Sequence, residues 1–292
     1  MTLIHALLHA LRLTLQYRKL LLYMYLLMLG LALLLVLPFY ATITAAVGHS
    51  LEIDKLLPGF NYTVIADFLN AHGDIFSALL AQIQWMLPFY LLLGIFLSAG
   101  CMHCLVKERS TAGAFFRGGI RWFGPFLGLG ILLGLLHLLL AGLCYAPFFL
   151  ALSAGMDQIR NEVGLFNKLF AGAGLHLLLI PLLWALGDRA RLEMVQAGVS
   201  VRKALPSSIF WIKTHFFSAA GLYILVGFFI YGIFSLSLYL QSESAADTGL
   251  MIFLLFGVQQ LLVLLRLAAK LLRYAAMYSL HQYSSVTRFA DL

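Results

Sequence analysis

The chain runs to 292 residues, 62% of them hydrophobic and 11% charged, with a mean hydropathy of +0.95. Soluble domains carry about 25% charged residues, so this composition excludes a water-soluble globule and leaves lipid as the solvent. The net charge of +7 does not point to nucleic acid, because RNA- and DNA-binding signatures are missing. The basic groups instead hug the ends of apolar runs, where anionic headgroups lie.

Taken in chain order, His5–Lys19 opens as a basic amphipathic lead-in, with Leu8, Leu11 and Leu15 on one stripe and His9, Arg12 and Gln16 on another. The first apolar run, Leu20–Val47, is too long for the core of a cleavable leader and shows no small-residue cleavage site. It reads as a signal anchor. Between His49 and Asp74, Val64, Ile65, Phe68 and Leu69 recur at helical spacing, which predicts a short helix on the outer membrane surface. The second span, Ile75–Val106, carries Gln82 and Gln84, is interrupted by Pro88, and ends in Cys101-Met102-His103-Cys104. On a helix, positions 101 and 104 share a face while 103 points elsewhere, and no second ligand pair follows, so no metal site is expected. With Cys144 these thiols make no disulfide framework.

A second lead-in, Ala114–Phe123, interleaves Phe115, Phe116 and Trp122 with Arg117 and Arg121. Its glycines follow no predicted strand, which excludes a nucleotide loop and favours close helix packing. The third span, Phe123–Ser153, contains His137. The fourth, Leu169–Gly187, contains His176. A third lead-in, Val199–Phe217, sets Ile209, Phe210, Trp211 and Ile212 among Arg202, Lys203 and Lys213. It leads into the fifth span, Ile209–Leu240. The sixth, Gly249–Leu265, carries Gln259 and Gln260.

The charges fix an orientation. All of the 19 Lys and Arg residues except Lys55, Arg160 and Lys168 fall on the side of the N-terminus. The opposite connections carry Glu52, Asp54, Asp67, Asp74, Asp157, Glu162, Glu243 and Asp247. The positive-inside bias then places both termini in the cytoplasm of a bacterial inner membrane. The expected architecture is an all-α, polytopic membrane protein of six transmembrane helices. They form a single domain of three hairpins, about 1–106, 107–198 and 199–292, each opened by a basic inner-surface helix. Ala10-Leu11 with Lys19 matches Ala204-Leu205 with Lys213 in spacing, as a repeat would; basic anchors needed by every hairpin would give the same likeness.

The segment Asp188-Arg189-Ala190-Arg191, then Ser200, then Lys203-Ala204-Leu205 before an apolar-aromatic approach to the next span, resembles a loose bacterial superfamily of six-span inner-membrane proteins. It includes the membrane domain attached to some glycerophosphodiester phosphodiesterases. The resemblance is clearest over about Leu183–Leu222. It implies a fold and not that activity, since the chain has no room for the soluble catalytic domain.

Ionisable groups deep in lipid carry a functional hypothesis by default. His137 and His176 fall near the midplane on antiparallel neighbouring spans. They suit either a proton relay or metal pair, or two neutral rings hydrogen-bonded to adjacent helices. No carboxylate lies at matching depth, which favours the second. Gln82 and Gln259 would be packing polar groups or the lining of a cavity. Arg189, Arg191, Arg117 and Arg121 are candidates for a lipid phosphate or an acidic partner, while Asp188 and Arg191, three apart, can also pair locally. No catalytic constellation, cofactor site or nucleic-acid partner is expected. The leading functional expectation is a non-catalytic scaffold or accessory subunit, with a membrane-protein partner or a second copy. The alternatives are a transporter or lipid-handling protein with a midplane cavity, and an intramembrane lipid-modifying enzyme.

Overall fold

The computed structural model describes residues 2–47, 62–71, 73–153, 162–243 and 249–290. Within them the chain is helical apart from short turns, as α1 (Thr2–Gln16), α2 (Arg18–Val47), α3 (Tyr62–Ala71), α4 (Gly73–Val106), α5 (Ala112–Ser153), α6 (Glu162–Ala197), α7 (Val201–Thr214), α8 (Phe216–Glu243) and α9 (Gly249–Ala290). Six of these, α2, α4, α5, α6, α8 and α9, are long and apolar enough to cross a membrane. The protein is a polytopic all-α membrane protein. Glu52 and Asp54 lie outside the described residues, but the helix expected over Val64–Leu69 is present as α3.

Two of the three lead-ins are separate helices. α1 gives way to α2 at Tyr17, and α7 to α8 at His215. The middle one is not: α5 begins at Ala112 and runs unbroken to Ser153. The cause is its early docking on α4. A Cβ at Gly100 would sit 2.8 Å from the Phe115 ring, and one at Gly118 would collide with the His103 side chain. Helix–helix packing therefore holds this segment in line with its span. The fifth span also starts later than the expected Ile209. The Thr214 hydroxyl donates to the Trp211 carbonyl at 2.8 Å, and the His215 N–H uses the same carbonyl at 3.0 Å. These bonds close α7 before the apolar run of α8 begins.

A hydrocarbon core about 30 Å thick takes about 20 helical residues. The shortest uncharged stretches, Leu169–Gly187 and Gly249–Leu265, match that length. α5 and α9 each have 42 residues, which is about 63 Å of helix. The excess lies at the basic ends, and there the core is built. One cluster joins Ala6, Ala10, Leu20, Met24, Leu97, Met102, Phe115, Phe126, Leu192, Tyr223, Tyr274 and Met277. The opposite halves carry large exposed apolar residues: Leu138, Leu177, Phe228 and Phe253 are each about 70% exposed. The densest packing is thus a collar at the basic end, with apolar helices extending beyond it.

Contacts between the hairpins follow a cyclic order. The second spans α4, α6 and α9 touch one another, and each first span leans on the second span of the preceding hairpin: α2 on α9, α5 on α4, α8 on α6. The lead-ins obey the same rule, α1 packing on α9 and α7 on α6. The matched alanines behave alike: Thr14 Oγ1 donates to the Ala10 carbonyl at 2.8 Å, and Ser208 Oγ to the Ala204 carbonyl at 2.7 Å.

Candidate functional site

The most heavily bonded polar group is Asp188 on α6, fully buried in the collar. Arg191 Nη1 donates to its Oδ1 at 2.6 Å, Arg273 Nε of α9 lies 2.7 Å from its Oδ2, and the Tyr223 hydroxyl of α8 donates to Oδ2 at 2.9 Å. One carboxylate thus ties α6, α8 and α9 together beneath the rings of Trp184 and Tyr274, which lie 5.1 and 5.3 Å from the Arg273 guanidinium. Two guanidinium groups and a phenol engage both oxygens of this carboxylate. Its role is structural. Beside it, the Tyr274 hydroxyl donates to Ser98 Oγ at 2.7 Å, Ser98 Oγ donates to the Gly94 carbonyl at 2.7 Å, and Lys270 Nζ donates to that carbonyl at 3.2 Å.

The arginines named as phosphate or partner contacts divide into two pairs. Arg189 is 4% exposed, with Nη2 2.6 Å from Glu193 and its guanidinium 5.3 Å from the Trp211 ring. Arg191 is engaged with Asp188. Both point into the protein, although Arg189 Nε and Nη1 are buried without a partner. Arg117 and Arg121 are exposed on α5, Arg121 lying 5.5 Å over Trp122, and these two remain available to a headgroup. At the α1–α2 junction, burial and then the nearby Glu108 carboxylate raise the Tyr17 phenol above its ordinary value, so this hinge residue is neutral at physiological pH.

His137 and His176 meet. Their ring centroids are 4.9 Å apart with planes at 45°, across an α5–α6 interface so close that a Cβ at Gly172 would stand 2.5 Å from the Cys144 carbonyl oxygen. His176 Nδ1 lies 3.4 Å from the Tyr145 hydroxyl, beyond the usual hydrogen-bond range, and its Nε2 is buried with no partner. Both rings are half-buried, flanked by the exposed Leu136, Leu138, Leu175 and Leu177. A structural zinc takes four ligands and a catalytic one three. Among the described residues no group of three His, Cys, Asp or Glu side chains is placed to hold a metal. As it stands the pair is two rings in contact.

The glutamines do not join the histidines. Gln82 reaches the Leu35 carbonyl of α2 at 3.5 Å, and Gln259 is exposed on α9. Its neighbour Gln260 instead accepts a hydrogen bond from the Tyr25 hydroxyl at 2.9 Å. That bond crosses the floor of a groove of about 540 Å³ between α2, α4 and α9, apolar along Met28, Leu35, Met86 and Tyr90 and bounded by Arg266. The sequence offered no signal for Tyr25, Tyr223 or Ser237, hydroxyls among many on apolar helices. Arg266 and Arg273 were visible there as basic end-markers, without their partners. No protein-family model, curated protein or solved structure matches the chain.

Proposed function

We propose that this integral membrane protein is a non-catalytic scaffold or accessory subunit of a membrane assembly, seated in a bacterial inner membrane with both termini cytoplasmic. The observation that carries the reading is the concentration of buried packing at the basic end. Apolar helices that associate strongly in lipid bring small residues and polar groups into contact along their length. Here the outer halves of α5, α6, α8 and α9 leave large leucines and phenylalanines facing outward, a surface suited to other membrane segments. The collar supplies a rigid base that fixes the spacing of those helices.

Three of the hydroxyls are bonded to backbone: Thr14, Ser98 and Ser208 each donate to a carbonyl four residues back. A transport cavity lined by His137, His176, Gln82 and Gln259 is not supported, because the glutamines lie away from the interface on which the histidines meet. Orientation rests on the charge bias and is tested by labelling introduced cysteines: a residue placed at Lys107 should react from the cytoplasmic side and one at Lys168 from the other. The scaffold reading is tested by photo-crosslinking in native membranes from Leu138, Leu177 and Phe253. Adducts of protein size at these positions, identified by mass spectrometry as one recurring membrane protein or as this chain itself, are expected. Lipid adducts alone at all three would overturn it.

A further inference from the structure

We propose that the groove between α2, α4 and α9 is a binding site for one anionic phospholipid of the leaflet at the basic end. Its phosphate sits on Arg266, and an acyl chain runs along Met28–Leu35 and Met86–Tyr90. The inference does not depend on the scaffold reading.

Three observations carry it. The first is shape: three helices enclose about 540 Å³ whose walls are almost wholly apolar, which suits a hydrocarbon chain and not a solute. The second is charge. Arg266 is the one charged residue lining the groove. It donates through Nη2 to Ser237 Oγ at 2.9 Å, a neutral partner that orients the guanidinium without neutralising it. Among the described residues no carboxylate lies within ion-pair distance of it, whereas Arg189, Arg191 and Arg273 each have one. A guanidinium presents a planar fork of donors matched to phosphate oxygens. The third is depth. Arg266 is the first charge on α9 after the uncharged stretch Gly249–Leu265, which sets it on the basic side of that stretch. From there the lining residues of α2 continue from Tyr25 to Leu35, away from the basic end and towards the bilayer centre. A lipid with its head at Arg266 points its tails the way its own leaflet requires. The Tyr25–Gln260 bond adds a polar floor beside the headgroup.

The test uses the full chain reconstituted in nanodiscs of equal phosphatidylglycerol and phosphatidylcholine, released into mild detergent, with the retained lipid counted by native mass spectrometry. The unaltered protein should retain phosphatidylglycerol over phosphatidylcholine by about fivefold, the factor expected of one basic group at an anionic surface. Arg266→Gln should bring the ratio close to one, and Arg266→Lys should keep most of it. Ala32→Trp, which fills the groove and leaves the charge in place, should remove the retained lipid of both headgroups. Lys168→Gln, at an exposed basic residue on the opposite end of α6, should change nothing. Retained selectivity in Arg266→Gln, undiminished lipid in Ala32→Trp, or an equal loss in Lys168→Gln would each overturn the proposal. Should Arg266→Gln fail to fold, Ala32→Trp and Lys168→Gln decide it.

Discussion

Asp188 shows how much a single buried carboxylate can hold. Replacing it with Asn leaves Arg191 and Arg273, 17% and 15% exposed, without their counter-charge in a closed site. Breaking such a pair costs about 3–5 kcal/mol, so Asp188→Asn should sharply lower the thermal unfolding midpoint in detergent. Asp188→Asn combined with Arg273→Gln should recover part of the loss, because the second change removes one stranded charge. A double variant no better than the single one would show that the two residues do not act as a unit. The histidine pair predicts the opposite sign. His176 Nε2 is buried without a partner, and an unpaired buried polar group costs about 1–3 kcal/mol. His176→Phe should therefore leave the midpoint unchanged or raise it. A clear fall would mean that the contact with Tyr145 is a stronger bond than its 3.4 Å length suggests. The matching depth of His137 and His176 was legible in the sequence, because depth along two antiparallel spans depends only on rise per residue; that the rings face each other was not. The partners of Asp188 were not legible beyond Arg191: Tyr223 and Arg273 lie on other helices, and spacing within one helix carries no information about them.

At the level of the helix, the glycines separate into those that set packing and those that do not. Gly118 abuts the Cβ of His103, an atom fixed to the backbone, whereas a Cβ at Gly124 would meet nothing within 4 Å. Overpacking costs about 1–3 kcal/mol, while Ala is favoured over Gly in a helix by about 1 kcal/mol. Gly118→Ala should destabilise and Gly124→Ala should stabilise, read from paired thermal midpoints in the same detergent. Two equal shifts would refute the idea that α4 and α5 meet along one glycine seam. That the glycine-rich segment would pack closely could be read from composition. Which glycines face α4 could not, and the same gap hid the middle lead-in's continuity with its span. The turn between α4 and α5 adds a local device: Glu108 sits at φ 51°, with Arg109 N–H returning to the Cys104 carbonyl at 3.0 Å. This ends α4 in the manner usually left to glycine, as Gly198 does at φ 69° after α6. Basic amphipathic patterning marked α1 and α7 correctly as separate helices, because in both a hydroxyl or aromatic residue interrupts the run just before the apolar span.

For the whole molecule, the six spans were readable because lipid imposes their length and composition. The collar was not, because its residues look like span ends until their partners are known. Its cyclic order makes a further claim about assembly. Each hairpin is gripped by its neighbour's lead-in, and α1 closes the ring by packing on α9, where His9 Nδ1 lies 2.9 Å from Ser279 Oγ and the His9 ring meets Tyr283 edge-on. Hairpins joined mainly through such inter-hairpin contacts should assemble without a covalent link. Cutting the chain in the exposed turn at Gly198, and co-expressing residues 1–198 with residues 199–292, should therefore give two fragments that co-purify. Removing α1 from the first fragment should then cut recovery of the second by about tenfold, equivalent to about 1.4 kcal/mol of association. The contacts of α6 with α7 and α8, and of α9 with α2, α4 and α6, would still retain the remainder. Recovery unaffected by the loss of α1 would mean that these contacts between spans hold the third hairpin and that the lead-in adds nothing to the ring.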